Sequence, residues 1–163
     1  MTGANSLKTA NYQALAEFRY QIRRFLRFSE ETARKAGLEP QHHQLMLAVK
    51  GAPGKVEPRI GYLAERLQIH HHSAVELVDR LARRGLIQRV RSEKDRREVH
   101  VRLTAKGERL LRKLTLYHRE ELRTAAPALA RTLKKMMATA RGDHKAPERK
   151  QTAAAAKRST PSR

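Results

Sequence analysis

"RSEKDRREVHVRLTAKG", residues 91–107, changes character half way along. Up to Glu98 nearly every side chain is charged; from Val99 the order is Val99, His100, Val101, Arg102, Leu103. Apolar and polar residues alternating with period two mark a half-buried strand. Just upstream, "GLIQRV" (85–90) reads as another strand, so the charges between the two form the turn of a β-hairpin. Thr104 is a good N-cap for a following helix.

Two short amphipathic helices precede the hairpin. "HHSAVELVDRLARRG" (71–85) carries an apolar stripe of Ala74, Val75, Val78, Leu81 and Ala82 and ends at Gly85. "RIGYLAERL" (59–67) places Ile60, Leu63, Ala64 and Leu67 on one face. Only "QIH" (68–70) joins them, a turn without glycine. Helix, tight turn, helix and then hairpin is the order of a winged helix-turn-helix. The charge belongs at the wing tip, which meets a polyanion; the alternation belongs at the base, which packs on the core.

Further out, Pro40 opens a helix, "QHHQLMLAVK", closed by Gly51, and "GAPGKVEP" is a loop. Ala10 to Ala36 repeats Leu15, Phe18, Ile22, Phe25 and Leu26 at helical spacing, stopped by Gly37. From Lys106 a long helix runs through Leu110, Leu111, Leu114, Tyr117 and Leu122. Pro127 is expected to interrupt it and to start a last helix with Leu129, Leu133 and Met136 or Met137. After Ala140, seven basic residues face Asp143 and Glu148 with no aliphatic residue larger than alanine, which predicts a disordered basic tail. The organisation expected is a flexible leader (1–9), one mainly α domain (10–140) and the tail (141–163). Within the domain, terminal helices 10–36 and 106–140 flank a winged helix at 40–105. The terminal stripes are too wide for surface helices of so small a domain, so they are expected to hold a homodimer together.

Length and composition narrow the function. The 163 residues suffice for one domain, and 36 Lys and Arg against 16 Asp and Glu give a formal charge of +20. So large an excess calls for a polyanionic partner, nucleic acid before an anionic membrane surface. The absence of cysteine excludes disulfides, thiolate metal sites and thiol redox chemistry on this chain. No apolar run approaches a membrane span and the N-terminus lacks signal-peptide order, so a cytoplasmic protein is expected. Carboxylate cluster, activated nucleophile and phosphate loop are all missing, which argues against an enzyme.

The recognition helix of a helix-turn-helix enters the major groove by its N-terminal end. Here that end carries His70, His71, His72 and Ser73, with Glu76 one turn on and Arg80 another turn along. Histidine donates to guanine or phosphate, and a glutamate accepts from the amino group of cytosine. The plainer alternative is that the histidines cap the helix or face solvent. A metal site in "HHH" is not expected, because neighbouring helical residues point about 100° apart and cannot converge on one ion. No cofactor is expected.

"LAERLQIHHHSAVELVDRLARRGLIQRV" (63–90) followed by "DRREVHVRLTAKG" (95–107) resembles the MarR family of winged helix-turn-helix transcriptional regulators. The similarity spans roughly Ala10 to Met137, and its most specific run joins "LVDRL", "GLI", the wing "DRR" and "LT..G". The resemblance implies a homodimer whose two winged helices face adjacent turns of a pseudo-palindromic double-stranded operator, most simply as a repressor. It also implies that Arg97 turns inward to pair with Asp79 and that Lys94 and Arg96 reach the minor groove, with Asp95 holding the tip in shape. The small aromatic or amphipathic effectors of the family point to a cleft beside the second helix, where Tyr20, Arg24, His43 and Tyr117 are the candidates; the plainer and preferred alternative is that the histidines of that helix are ordinary surface and core residues. This chain departs from many relatives at Ser92, at Lys94 and in its three histidines. The competing reading is a nucleoid-associated architectural protein that binds DNA mainly by charge.

Overall fold

The computed structural model describes residues 8–54, 56–91 and 98–143. Its elements are α1 (Thr9–Lys35), α2 (Pro40–Lys50), α3 (Ile60–Leu67), α4 (His71–Arg83), β1 (Ile87–Arg91), β2 (Val99–Leu103) and α5 (Ala105–Asp143). The fold is mainly α with one two-stranded antiparallel sheet, in which Ile87 faces Leu103 and Val90 faces His100. The described residues within 22–127 form one compact unit; residues 8–21 and 128–143 belong to a second.

Local chemistry sets the element ends. Pro40 opens α2 at a position where its missing N–H costs nothing. Gly37 and Gly85, both at positive φ, follow α1 and α4. Thr104 caps α5: its Oγ1 accepts from Gly107 N at 3.1 Å and donates to Gly85 O at 2.7 Å. The same residue thus ends the hairpin, starts the long helix and ties both to the end of α4.

The core of the larger unit is a single cluster. Met46 from α2, Leu63 from α3, Val78 and Leu81 from α4, Val101 from β2 and Leu114 from α5 are at most 1% exposed. At about 25 cal/mol per Å² of apolar surface removed from water, this cluster is the main favourable term holding the unit together. α5 approaches it without side-chain clearance: a Cβ on Gly107 would lie 2.0 Å from Leu86 O. In the second unit Ala14 is buried, and the buried Thr132 hydroxyl donates to Ala128 O at 2.8 Å. Tyr12, Leu15, Tyr20, Leu133 and Met137 are exposed there.

One expectation fails. Pro127 does not end the long helix; α5 continues through it to Asp143. Proline removes the N–H that would bond the carbonyl of Arg123, yet a long helix flanked by good turns on both sides survives one missing bond, normally with a local bend. Of the expected leader and tail, residues 1–7 and 144–163 lie outside the described residues, whereas Thr9 already belongs to α1 and Arg141, Gly142 and Asp143, expected in the disordered tail, are the last residues of α5.

Candidate nucleic-acid interface

The turn between α3 and α4 works without glycine because Gln68 takes the left-handed conformation, φ 54° and ψ 45°. That costs a non-glycine residue about 1–2 kcal/mol. Local bonds offset it: Ile69 N donates to Ala64 O at 3.0 Å, and the Gln68 amide donates to Glu65 O at 2.8 Å. Ile69 packs against the core cluster, which fixes how α4 leaves the turn.

α4 buries Ala74, Leu77, Val78 and Leu81 and turns its other face to solvent. His70 is the N-cap residue, in extended conformation, but its side chain makes no capping bond. First-turn amides without a side-chain cap leave an electropositive end that suits an anion. His70, His71 and His72 are exposed, and the His70 and His72 rings stack at 5.6 Å, 8° from parallel. Ser73 is half-buried. Glu76 and Arg80 are both exposed and meet at 3.4 Å, one helical turn apart.

Asp79 has a partner that the sequence did not suggest. Arg89 of β1 holds its Oδ1 through Nη1 at 2.8 Å, joining α4 to the first strand of the hairpin. Lys94, Asp95, Arg96 and Arg97 lie outside the described residues. Arg89 sits two positions after the buried Ile87, so strand geometry alone points both to one face of the sheet. The family resemblance implies a partner for Asp79 on the second strand, at Arg97, rather than on the first.

The hairpin base carries a second surprise. His100, read from the alternation as a polar-face residue, is only 5% exposed. The segment ahead of α3 covers it: Val101 N donates to Pro58 O at 2.8 Å, which lays residues 57–59 along β2. His100 Nε2 lies 3.2 Å from a Glu57 carboxylate oxygen and 3.8 Å from one of Glu98. Arg102 pairs with Glu57 and Arg59 with Glu98. Five side chains therefore interlock at the root of the wing, and the two arginines are neutralised by the two carboxylates.

The residues suggested for an effector do not share one environment. Tyr20, Arg24 and Tyr117 are exposed, whereas His43 is buried. His43 stacks on His118 of α5 at 4.8 Å, and the Phe25 and Phe28 rings meet His118 edge-on. His118 Nδ1 donates to Leu114 O at 2.7 Å, because a carbonyl only accepts, and its Nε2 bonds the Ser29 hydroxyl at 2.8 Å. Burial first, and then the neighbouring His118, push the His43 imidazole down to about 4. His42 is also lowered, by burial and then by Arg84, and neither of its ring nitrogens has a hydrogen-bond partner. His118 falls in step with Leu111 and Leu114 along α5, so its place in the apolar stripe was the available signal.

A different cleft, of about 450 Å³, opens between the end of α2, the end of β2 and α5. Leu103, Leu111 and Leu116 supply its apolar lining, and Arg112, Thr115 and Arg119 its polar one, with Lys50 and Glu108 paired at 2.6 Å. Among the described residues no group of three or more His, Cys, Asp or Glu is placed to hold a metal ion, and no helix is long and apolar enough to cross a membrane.

Comparison with known proteins finds a family model over part of the chain and solved structures of the same fold. Residues 36–98 match the MarR family model. Among solved structures, AbsC, a MarR family transcriptional regulator from Streptomyces coelicolor, superposes with a TM-score of 0.64 at 20% identity, over 84% of this chain and 98% of that one. A MepR variant from Staphylococcus aureus bound to an oligodeoxyribonucleotide gives 0.59 at 18% identity, over 79% and 97%. Wild-type MarR from Escherichia coli gives 0.59 at 18%, over 72% and 91%. Curated protein sequences give no match.

Proposed function

We propose, from the winged-helix fold and the match of residues 36–98 to the MarR family model, that this chain is a MarR-type homodimeric, sequence-specific DNA-binding repressor. The observation that carries this reading is α4 itself. Its buried face is fixed by Leu77, Val78 and Leu81, its N-terminus has no side-chain cap, and its exposed face presents histidines, Glu76 and Arg80 beside the hairpin. That is the arrangement by which a recognition helix enters a major groove. The net charge of +20, the basic tail included, supplies the sequence-independent attraction to phosphate.

Several finer features belong to the same proposal. The exposed apolar residues of α1 and α5, Leu15, Leu26, Leu122 and Leu133 among them, supply the dimer contact. Two-fold symmetry then places half-sites about 10 bp apart on a pseudo-palindromic operator. Lys94 and Arg96 reach the minor groove, and Arg97 with Asp95 shapes the wing. A small amphipathic anion releases the repressor by occupying the α2–β2–α5 cleft, whose leucines suit an apolar body and whose Arg112 and Arg119 suit a carboxylate.

The test is the ratio of affinities for a selected operator and for random DNA at physiological salt, with the footprint of the complex. A specific regulator gives a ratio of about 10³ or more and a two-fold symmetric footprint. A ratio near one would favour an architectural protein acting by charge and overturn this reading.

A further inference from the structure

On the reading that α4 lies in a major groove, we propose that Glu76 makes this protein choose cytosine, one in each half-site. The starting point is the helix surface opposite Ala74, Leu77, Val78 and Leu81. At about 100° per residue, the line facing directly away from that buried stripe is His72, Glu76, Asp79 and Arg83. Two of these four side chains are carboxylates, on the face of a strongly basic protein that approaches a polyanion. Each needs a reason to be tolerated there.

Asp79 has one inside the molecule, since Arg89 holds it at 2.8 Å and both side chains are partly covered. Glu76 does not. Its side chain is 64% exposed, and it meets Arg80 at 3.4 Å across one helical turn, a surface pair of small energy. The Glu76 carboxylate is free to exchange that contact for another donor.

A carboxylate only accepts hydrogen bonds. In the major groove, guanine offers the acceptors N7 and O6, and thymine offers O4 and a methyl group. Adenine places its N6 amino group beside the acceptor N7, which repels a second negative oxygen. Cytosine N4 alone presents a donor without an acceptor on the same base edge. Glu76 therefore gains at cytosine and is penalised at the other three bases, so it specifies by rejection as much as by attraction. Arg80, displaced from Glu76, turns to the flanking phosphate and keeps the local charge balanced. Two-fold symmetry repeats the requirement in the second half-site, where it reads as guanine on the same strand.

The experiment is selection of bound duplexes from a randomised library by the full chain, its Glu76→Gln variant and its Glu76→Ala variant, followed by affinity measurement on the winners. The wild type is expected to fix one cytosine per half-site, with about a tenfold or greater loss for any other base there. Glu76→Gln is expected to move the choice at that position to adenine, because an amide pairs with both N6 and N7. Glu76→Ala is expected to lose the choice at that position alone and to bind random DNA more tightly, because a negative charge has left the interface. An unchanged base in the Glu76→Gln selection overturns the proposal, as does a Glu76→Ala variant weakened equally on every sequence. A wild type that enriches no sequence overturns the DNA-recognition reading itself, and the proposal with it.

Discussion

The winged helix and the long helices that flank it use the same kind of apolar stripe to opposite ends. In the winged helix, Leu63 and Leu81 are completely enclosed by elements of their own chain. Along α1 and α5, Leu15, Leu26, Leu122, Leu133 and Met137 remain 37–50% exposed. A stripe matched by neighbours in the same chain yields a unit that completes its own core. A stripe with more surface than its neighbours cover is the pattern that the proposed homodimer requires.

The sharpest way to test the self-sufficiency of the winged helix is to hollow its core. Leu81→Ala is expected to destabilise the folded chain by about 2–5 kcal/mol, read as a lowered urea midpoint. A cost below about 1 kcal/mol would mean that this core is not what holds the unit together.

Acid probes the contact between α2 and α5. The neutral His43 imidazole is pushed to about 4 in the folded chain, against about 6.5 when unfolded. Its contribution is fully present above pH 6.5, because both states are then neutral. It is lost as pH falls toward 4, where the unfolded chain has already taken up its proton. The loss from this one group is about 3 kcal/mol, and the lowered His42 adds to it in the same direction. Urea unfolding at pH 7 and pH 4.5 measures this; in His43→Phe the difference should shrink, and an unchanged difference would show that other groups set the acid limit.

The flanking helices should respond in the reverse manner to the core. Leu122→Glu together with Leu133→Glu is expected to shift sedimentation from dimer to monomer at micromolar concentration. Far-ultraviolet circular dichroism should change little, since both side chains already meet solvent in the single chain. A dimer that persists would place the interface elsewhere. The smallest expected effect is Arg89→Ala, below about 1 kcal/mol in stability because the pair with Asp79 is partly exposed. In a double-mutant cycle on operator affinity, Asp79→Ala and Arg89→Ala should be non-additive; full additivity would mean that the pair does not orient the hairpin.

Much of the winged helix was legible in the sequence because its signals are local. Pro40, Gly85 and Thr104 mark helix ends by their own chemistry, and the apolar periods of α3 and α4 need no knowledge of the rest of the chain. What escaped was decided by contacts distant in sequence. The pairing of Asp79 with Arg89 depends on how the hairpin leans on α4, and the burial of His100 on a loop more than 40 residues upstream. His118 took part in no local motif, and only its partners Ser29, Phe25 and Phe28 show why a histidine stands in an apolar stripe. Pro127 misled because the rule against proline in helices is statistical, whereas α5 has many bonds on either side to carry one lost.

Gly107 has a consequence for how this chain drifts over generations. Every other amino acid would add at least a Cβ, and at this position that carbon would stand 2.0 Å from the carbonyl oxygen of Leu86, on backbone that cannot swing aside as a side chain can. The site therefore has no conservative neighbour in the genetic code: even alanine, the mildest codon change, pushes the start of α5 away from the end of α4. In a saturation library selected for folded protein, position 107 should accept glycine alone, whereas Gly61, around which a Cβ would meet nothing within 4 Å, should accept a broad set.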